Sequence, residues 1–382
     1  MSVQDRIADG MKKILVVCGT RPEAIKLAPL VIALREHERV DLCLCVTGQH
    51  QEMLDQVLSL FDLQADINLS IMKPGQDLTD ITCGVLQGMR QVLVDFAPDI
   101  VLVHGDTTTS AAATLAAFYQ QTAVGHVEAG LRTGNIYSPW PEEANRRITA
   151  LVATRHYAPT ESARSNLLAE NVPSESILTT GNTVIDALHM IRQRISDSPS
   201  VEAKLKAQFA WLDSARHLIL VTGHRRENFG EAFEQVCLGL KDLAGRGDVQ
   251  IVYAVHPNPQ VKQTVFGILD ALPFVHLIEP LEYIAFVYLM SKAQLIVTDS
   301  GGVQEEAPSF GVPVLVTRET TERPEAVDAG VVKLVGTSRL DLVAAASELL
   351  DDPVCFKSMS EACNPYGDGM ACQRIMEDLI SE

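Results

Sequence analysis

Short β-branched runs alternate with longer helical patterns from one end of the 382-residue chain to the other. Six strand candidates come first, at 13–18, 40–46, 99–104, 123–127, 154–158 and 176–180. A second six follow at 217–222, 249–255, 275–278, 294–298, 313–317 and 332–335. Amphipathic segments such as 50–60 and 80–95 lie between them. Strands that alternate with helices call for parallel sheets covered by helices on both faces. Twelve strands divide naturally into two sets of about six. The expected fold class is therefore α/β, with two Rossmann-like doubly wound domains. A length of 382 residues agrees, since it provides two domains each able to bury a core. The boundary is expected near 182–212, where a charged helical stretch at 192–209 leads into the second series. The final segment reads as a turn followed by a helix, and its pattern does not say which domain it packs on.

Composition narrows the function. Hydrophobic residues at 47% and charged residues at 21% are ordinary for a soluble globular protein. A formal net charge of -18 argues against non-specific binding to nucleic acid or anionic membrane. It does not exclude an anionic small ligand, because a few local cations outweigh the global field at a site. The first ten residues lack the apolar core of a signal peptide, and no run approaches the ~18 apolar residues of a membrane span. The eight cysteines form no C-x-x-C pair and no cluster with metal spacing, so they read as reduced thiols of a cytoplasmic protein.

In open α/β sheets ligands bind outside the carboxyl ends of the strands, so the residues delivered there matter most. Strand 13–18 delivers "GTRPEAIK", which lacks a glycine-rich dinucleotide fingerprint and instead holds Arg21, Pro22, Glu23 and Lys26. Strand 99–104 delivers "GDTTTS", strand 123–127 delivers "EAGLRTG", and "YSPWPEEANRR" follows. In the second half the strand ends deliver "GHRREN", "HPNP", "DSGGVQEEAPSFG" and "RETTERPEA". Polar and ionisable groups thus gather at one edge of both expected sheets, which points to a catalytic or binding cleft between two domains.

Several of these residues also fit local structural roles. Asp106, ahead of three threonines, is placed equally well to cap the next helix. Glu142 and Glu143 follow Pro141 in an expected first helical turn, where acids suit the macrodipole. Each also stands four residues ahead of an arginine, Arg146 or Arg147, in the favourable orientation. Glu128 has no such role, because a carboxylate closing an apolar strand ahead of "AGL" has no cap or dipole to serve. His224 lies between Gly223 and two arginines at a strand end, unlike a core histidine, whereas His104 sits inside its strand pattern. Ser300, Gly301 and Gly302 place backbone N–H groups and a hydroxyl at a helix start. With Glu306 suited to ribose hydroxyls and Arg318 and Arg323 to diphosphate charge, the segment reads as a nucleotide site or, more simply, a connecting turn.

The segments "GTRPEAIKLAPL", "VHGDTTTSAAATLAAFY", "GHVEAGLRTG", "SPWPEEANRR", "TGNTVID", "TGHRREN" and "TDSGGVQEEAPSFGVPVLVTRETTERPEA" together resemble the non-hydrolysing UDP-N-acetylglucosamine 2-epimerases. The resemblance runs in order from about residue 12 to the end. It implies two Rossmann-like domains in the GT-B-like arrangement with the active site in the cleft, a homodimer, and neither metal nor nicotinamide cofactor. It implies a first domain of residues 12–182 plus 366–382, with the C-terminal helix crossing back, and a UDP-binding domain of 183–365. Residues 1–11 fall outside the family core and are expected to be disordered.

The implied reaction is reversible conversion of UDP-GlcNAc to UDP-ManNAc for cell-surface polysaccharide synthesis. The C2 proton is not next to a carbonyl, so the family eliminates UDP to 2-acetamidoglucal and adds it back with the proton on the other face. By resemblance Asp106, Glu128 and Glu142 are the carboxylates of this cycle and His224 supports diphosphate departure. Some members of a carboxylate cluster near an anionic substrate are expected to have raised pKa values, so that one can hold a proton at neutral pH. Matching binding positions are Arg21, Lys26, Ser300, Gly301, Gly302, Glu306, Arg323 and Phe286 (the last near uracil), with His256 a weaker candidate. Regulated members of the family tend to carry charged residues where this chain has Pro74 and Gly75, so allosteric control is not implied even though Gln49 is retained. A UDP-sugar glycosyltransferase, a hydrolysing epimerase and a non-catalytic UDP-sugar-binding protein are the alternatives. The three acids and His224 at family positions favour the epimerase.

Overall fold

The computed structural model describes residues 11–48, 51–73, 75–223, 225, 228–321 and 323–381, with 51–53 described by backbone alone. The expected N-terminal extension therefore lies, apart from Met11, outside the described residues. Contacts divide the chain into two compact units, one running to Ala187 and resuming at Tyr366, the other Leu188–Pro365.

The first unit comprises β1 (Lys12–Cys18), α1 (Arg21–Glu36), β2 (Val40–Val46), α2 (Gln51–Leu60), β3 (Ile67–Asn68), α3 (Leu78–Phe96), β4 (Ile100–His104) and α4 (Thr108–Tyr119). It continues through β5 (Ala123–Val127), α5 (Glu142–Val152), β6 (Arg155–Ala158), α6 (Glu161–Ala169), β7 (Ile177–Thr179) and α7 (Thr183–Asp197), which runs across the division. The sheet order is β3-β2-β1-β4-β5-β6-β7, and every neighbouring pair is parallel. Ile14–Val17 and Val101–Val103 are fully buried, as strands covered on both faces must be. Leu15, Val17, Val101 and Val103 pack with Val85 and Met89 of α3 and Ala113 and Ala117 of α4 in one core. From β1 the chain winds to one side, and from β4 to the other. This switch point opens a crevice at the carboxyl ends of the two strands.

The second unit holds α8 (Pro199–Gln208), β8 (His217–Thr222), α9 (Glu231–Ala244), β9 (Val249–Ala254), α10 (Pro259–Leu269), β10 (Val275–Ile278) and α11 (Tyr283–Met290). After these come β11 (Leu295–Thr298), α12 (Gly301–Glu306), β12 (Val314–Val316), α13 (Pro324–Asp328), β13 (Val332–Leu334), α14 (Arg339–Asp351) and α15 (Pro353–Ser360). Its all-parallel sheet has the order β10-β9-β8-β11-β12-β13, with the winding reversed between β8 and β11.

The two sets of strands match the expected alternation, and two local features depart from it. The charged stretch at 192–209 is two helices, because Pro199 suits a first turn and cannot continue α7. The two-residue strand β3 is too short to show any period in the sequence.

The last helix, α16 (Ala371–Ser381), packs on the first unit against α1. Asp186 of α7 accepts from the Cys372 and Ala371 N–H groups at 2.9 and 3.3 Å, and so caps α16. Arg374 donates to the Thr180 carbonyl at 2.9 Å, Tyr157 donates to Asp378 at 2.9 Å, and Ile375 and Leu379 are fully buried. Just ahead, the Tyr366 carbonyl accepts from the Asn182 N–H at 2.7 Å, which fixes the residue that reaches the site below. Among the described residues no helix is long and apolar enough to cross a membrane.

Candidate active site

The turn after β1 is organised by Glu23. Its buried carboxylate accepts from the Gly19 and Thr20 N–H groups at 3.0 and 2.7 Å and from the Thr107 and Ser110 hydroxyls at 2.6 and 3.0 Å. It therefore ties the turn after β1 to the start of α4. Burial pushes its carboxyl up, and these four donors oppose that push. Pro22 lies in the first turn of α1, where its missing N–H costs nothing. Arg21 opens the same helix and is half-buried.

Three strand ends then converge on Glu128. Its φ is 62°, a left-handed conformation that costs a non-glycine residue ~1–3 kcal/mol. The turn is completed by Gly130 at φ 89°, where a Cβ would come within 2.2 Å of the Ala163 carbonyl oxygen. This backbone turns the Glu128 side chain into a buried cluster. Lys26, from the second turn of α1, donates to Oε2, and Asn182 donates to the same oxygen at 3.0 Å. Arg146 of α5 donates to Oε1 at 3.3 Å, to the Glu128 carbonyl, and to Asp106 Oδ2 at 2.6 Å. His104 Nε2 lies 3.8 Å from Glu128 Oε2. Burial alone would raise the Glu128 carboxyl, but the Lys26 and Arg146 cations hold it well below the usual carboxylate range. At Glu128 the buried cations outweigh desolvation, whereas burial raises the Glu23 carboxyl nearby. Burial pushes the His104 imidazole down to about 4, so it is neutral at physiological pH. The cluster therefore pairs two carboxylates, Asp106 and Glu128, with two cations, Lys26 and Arg146.

Helix α5 presents two faces. Glu142, Asn145 and Arg146 stand at positions i, i+3 and i+4, on one face. Asn145 donates to the Asp106 carbonyl at 3.0 Å, so this face meets the turn after β4. Glu142 Oε2 is shielded from solvent and has no hydrogen-bond partner among the described residues. On the other face Glu143 accepts from Arg147 at 2.9 Å and from the Thr133 N–H at 3.1 Å. Only one of the two i,i+4 pairs forms, since Arg146 is drawn to Asp106 and Glu128 and away from Glu142.

In the second unit, the turns after β8 and β11 are joined. Asp299 Oδ2 accepts from the Arg225 N–H at 2.8 Å, and the Thr222 and Thr298 hydroxyls are 2.6 Å apart. Ser300 leads into α12 without using its hydroxyl as a cap. A Cβ on Gly301 would fall 2.3 Å from Arg323 Nη1, so the glycine lets the guanidinium lie against the turn. Gly302 follows it in the helix, and Arg323 Nε donates to the fully buried Glu305 at 2.7 Å. Glu306 is buried and accepts from the Tyr283 hydroxyl. Phe286, half-buried, stands one turn beyond Tyr283 on α11. His256 is exposed, and its Nδ1 accepts from the Asn258 N–H at 3.2 Å. His224, Gln49 and Pro74 lie outside the described residues. Among the described residues no group of His, Cys, Asp and Glu is placed to hold a metal ion.

The model of the family described as UDP-N-acetylglucosamine 2-epimerase matches residues 32–380. The chain belongs to this family. A UDP-N-acetylglucosamine 2-epimerase of Salmonella typhimurium is 57% identical over 370 residues, covering 97% of this chain and 98% of that protein. The Yersinia pestis relative of the same name is 56% identical over 368 residues, 96% of this chain and 98% of its own. The crystal structure of UDP-GlcNAc 2-epimerase from Neisseria meningitidis bound to UDP-GlcNAc superposes with a TM-score of 0.92. It is 50% identical and covers 97% of this chain and all of that one. Within the family fold, Arg146 and Asn182 hold the cluster together, and sequence reasoning did not single them out as site residues. Arg146 stood in "SPWPEEANRR" but looked like half of a helix surface pair. Asn182 in "TGNTVID" offered no signal beyond its place in a motif.

Proposed function

We propose that this protein interconverts UDP-GlcNAc and UDP-ManNAc by the non-hydrolysing route, feeding cell-surface polysaccharide synthesis in the cytoplasm. In the forward half-reaction a carboxylate removes the C2 proton, the C1=C2 bond forms, and the C1–O bond breaks with its electron pair leaving on the UDP β-phosphate. The reverse half-reaction returns a proton to the opposite face of C2 as UDP re-forms the bond at C1. The observation that carries this reading is the buried cluster of Asp106 and Glu128 on Arg146 and Lys26, in a chain that matches the family along nearly its whole length. Glu128 is held in its base form by neighbouring cations, as proton abstraction requires. Glu142 is assigned to the same cycle, and the unfilled hydrogen-bonding capacity of its Oε2 supports this.

UDP is assigned to Ser300, Gly301, Gly302 and Arg323 through its diphosphate, to Glu306 through its ribose, and to Phe286 through uracil. Arg21, His224 and His256 are assigned to the same ligand. The tie from Tyr283 to Glu306, with Phe286 one turn further along α11, supports neighbouring ribose and base positions. Lys26 is expected to act through Glu128, which it contacts, as well as through substrate charge. The protein is also proposed to be a homodimer, as the family resemblance implies.

The test is incubation with UDP-GlcNAc in D₂O, followed by NMR. UDP-ManNAc carrying deuterium at C2 is the expected product. Free ManNAc would indicate a hydrolysing enzyme. An unchanged spectrum with intact nucleotide binding would indicate a binding protein or a transferase lacking its acceptor.

A further inference from the structure

Asp106 and Glu128 come from different strand ends, yet one side chain grips both. Arg146 is buried, and its guanidinium reaches three acceptors on two residues: Asp106 Oδ2 at 2.6 Å, Glu128 Oε1 at 3.3 Å and the Glu128 carbonyl. Two of these fix carboxylates. The third lies on the residue whose backbone is left-handed, so the same group also sets the direction of the turn that aims Glu128. A lysine can carry the charge but cannot reproduce this planar fork. We infer that Arg146 is a positioning residue that yokes Asp106 and Glu128 into one unit and fixes their orientation. This rests on the epimerase reading above and deepens it.

Every element packed against Glu128 contributes to the balance. Lys26 faces it from α1, His104 from β4, Asp106 from the turn after β4, and Asn182 from the start of α7. His126, on β5 itself, is buried with its imidazole pushed well below its usual range by burial and by Arg146, and its Nε2 meets the Gly105 carbonyl at 2.8 Å. With both histidines neutral, the cations on the carboxylate pair are Lys26 and Arg146. Without the Arg146 charge, Glu128 loses one of the two cations that hold its carboxyl down, which shifts the acidic limb of the rate profile upward.

The test uses full-length Arg146→Gln and Arg146→Lys, with melting curves and the pH dependence of C2-proton exchange in D₂O. Arg146→Gln is expected to lose ~100-fold or more in kcat with KM changed only a few-fold, and its acidic limb is expected to move up by about one pH unit. Arg146→Lys should keep the limb near its wild-type position and still lose ~10-fold in kcat, because the fork is gone. An unmoved limb in Arg146→Gln, or full activity in Arg146→Lys, overturns the proposal. If Arg146→Gln does not fold, Arg146→Lys decides by the same criteria. If neither folds, the role is structural and the proposal fails. Wild-type protein run alongside separates the two readings: absence of exchange there defeats the epimerase reading, whereas normal exchange with wild-type-like variants defeats only the role of Arg146.

Discussion

Glu128 is placed at a backbone cost and surrounded by cations, and such a combination is retained where a carboxylate must be ionised and aimed at once. Glu128→Gln and Asp106→Asn keep the volume and remove the charge. Each is expected to lower turnover ~1,000-fold or more while leaving UDP affinity within a few-fold, as read by exchange kinetics and calorimetry. A fall in UDP affinity in proportion to activity would show these acids to be binding or structural groups. The neighbouring Glu23 shows why residue type alone does not assign a role. It too is a buried carboxylate at a strand end, but its oxygens are taken up by two N–H groups and two hydroxyls of the turns it joins. The four charged or rigid residues of "GTRPEAIK" thus divide between a helix start, a turn brace and a cation for Glu128.

At the scale of elements, the site is a set of strand-to-helix turns whose shapes require particular residues. Gly130 allows the chain after β5 to pass beside α6, and its left-handed φ leaves no room for a side chain. Gly130→Ala is expected to destabilise the protein by about 2 kcal/mol or more and to lower exchange by displacing Glu128. Urea unfolding and the D₂O assay check this, and an unchanged midpoint would mean that the turn yields. The α5 segment marks the limit of spacing arguments. Both Glu142–Arg146 and Glu143–Arg147 satisfy the i,i+4 rule, and nothing in the local sequence ranks them. The Asp106 and Glu128 carboxylates, brought near by β4 and β5, claim one arginine and leave the other to its helical partner.

Over the whole molecule, buried imidazoles link stability to pH. Burial pushes His104 and His156 down to about 4 and His126 well below its usual value, so each is neutral when folded and takes up a proton near pH 6.5 when unfolded. Their folded pKa values are depressed, so their contribution is present above about pH 6.5 and is lost as pH falls toward 4. Glu23 and Asp186, raised mainly by burial, act in the opposite sense and soften the fall. His156→Gln is expected to flatten the dependence by about 1.4 kcal/mol per pH unit between 6.5 and 4, as read from urea midpoints. Equal slopes in variant and wild type would refute this. The alternation of strands and helices was legible along the chain because burial on both faces and the helical period leave local marks, and so was the gathering of polar groups at strand ends. Those marks end where β3 has two residues and where Pro199 breaks one charged stretch into α7 and α8. Which cation meets which carboxylate was not legible. Arg146, Lys26 and Asn182 reach Glu128 across separations of 18, 102 and 54 residues. Such pairings depend on sheet order and turn shape, which no short window of sequence contains.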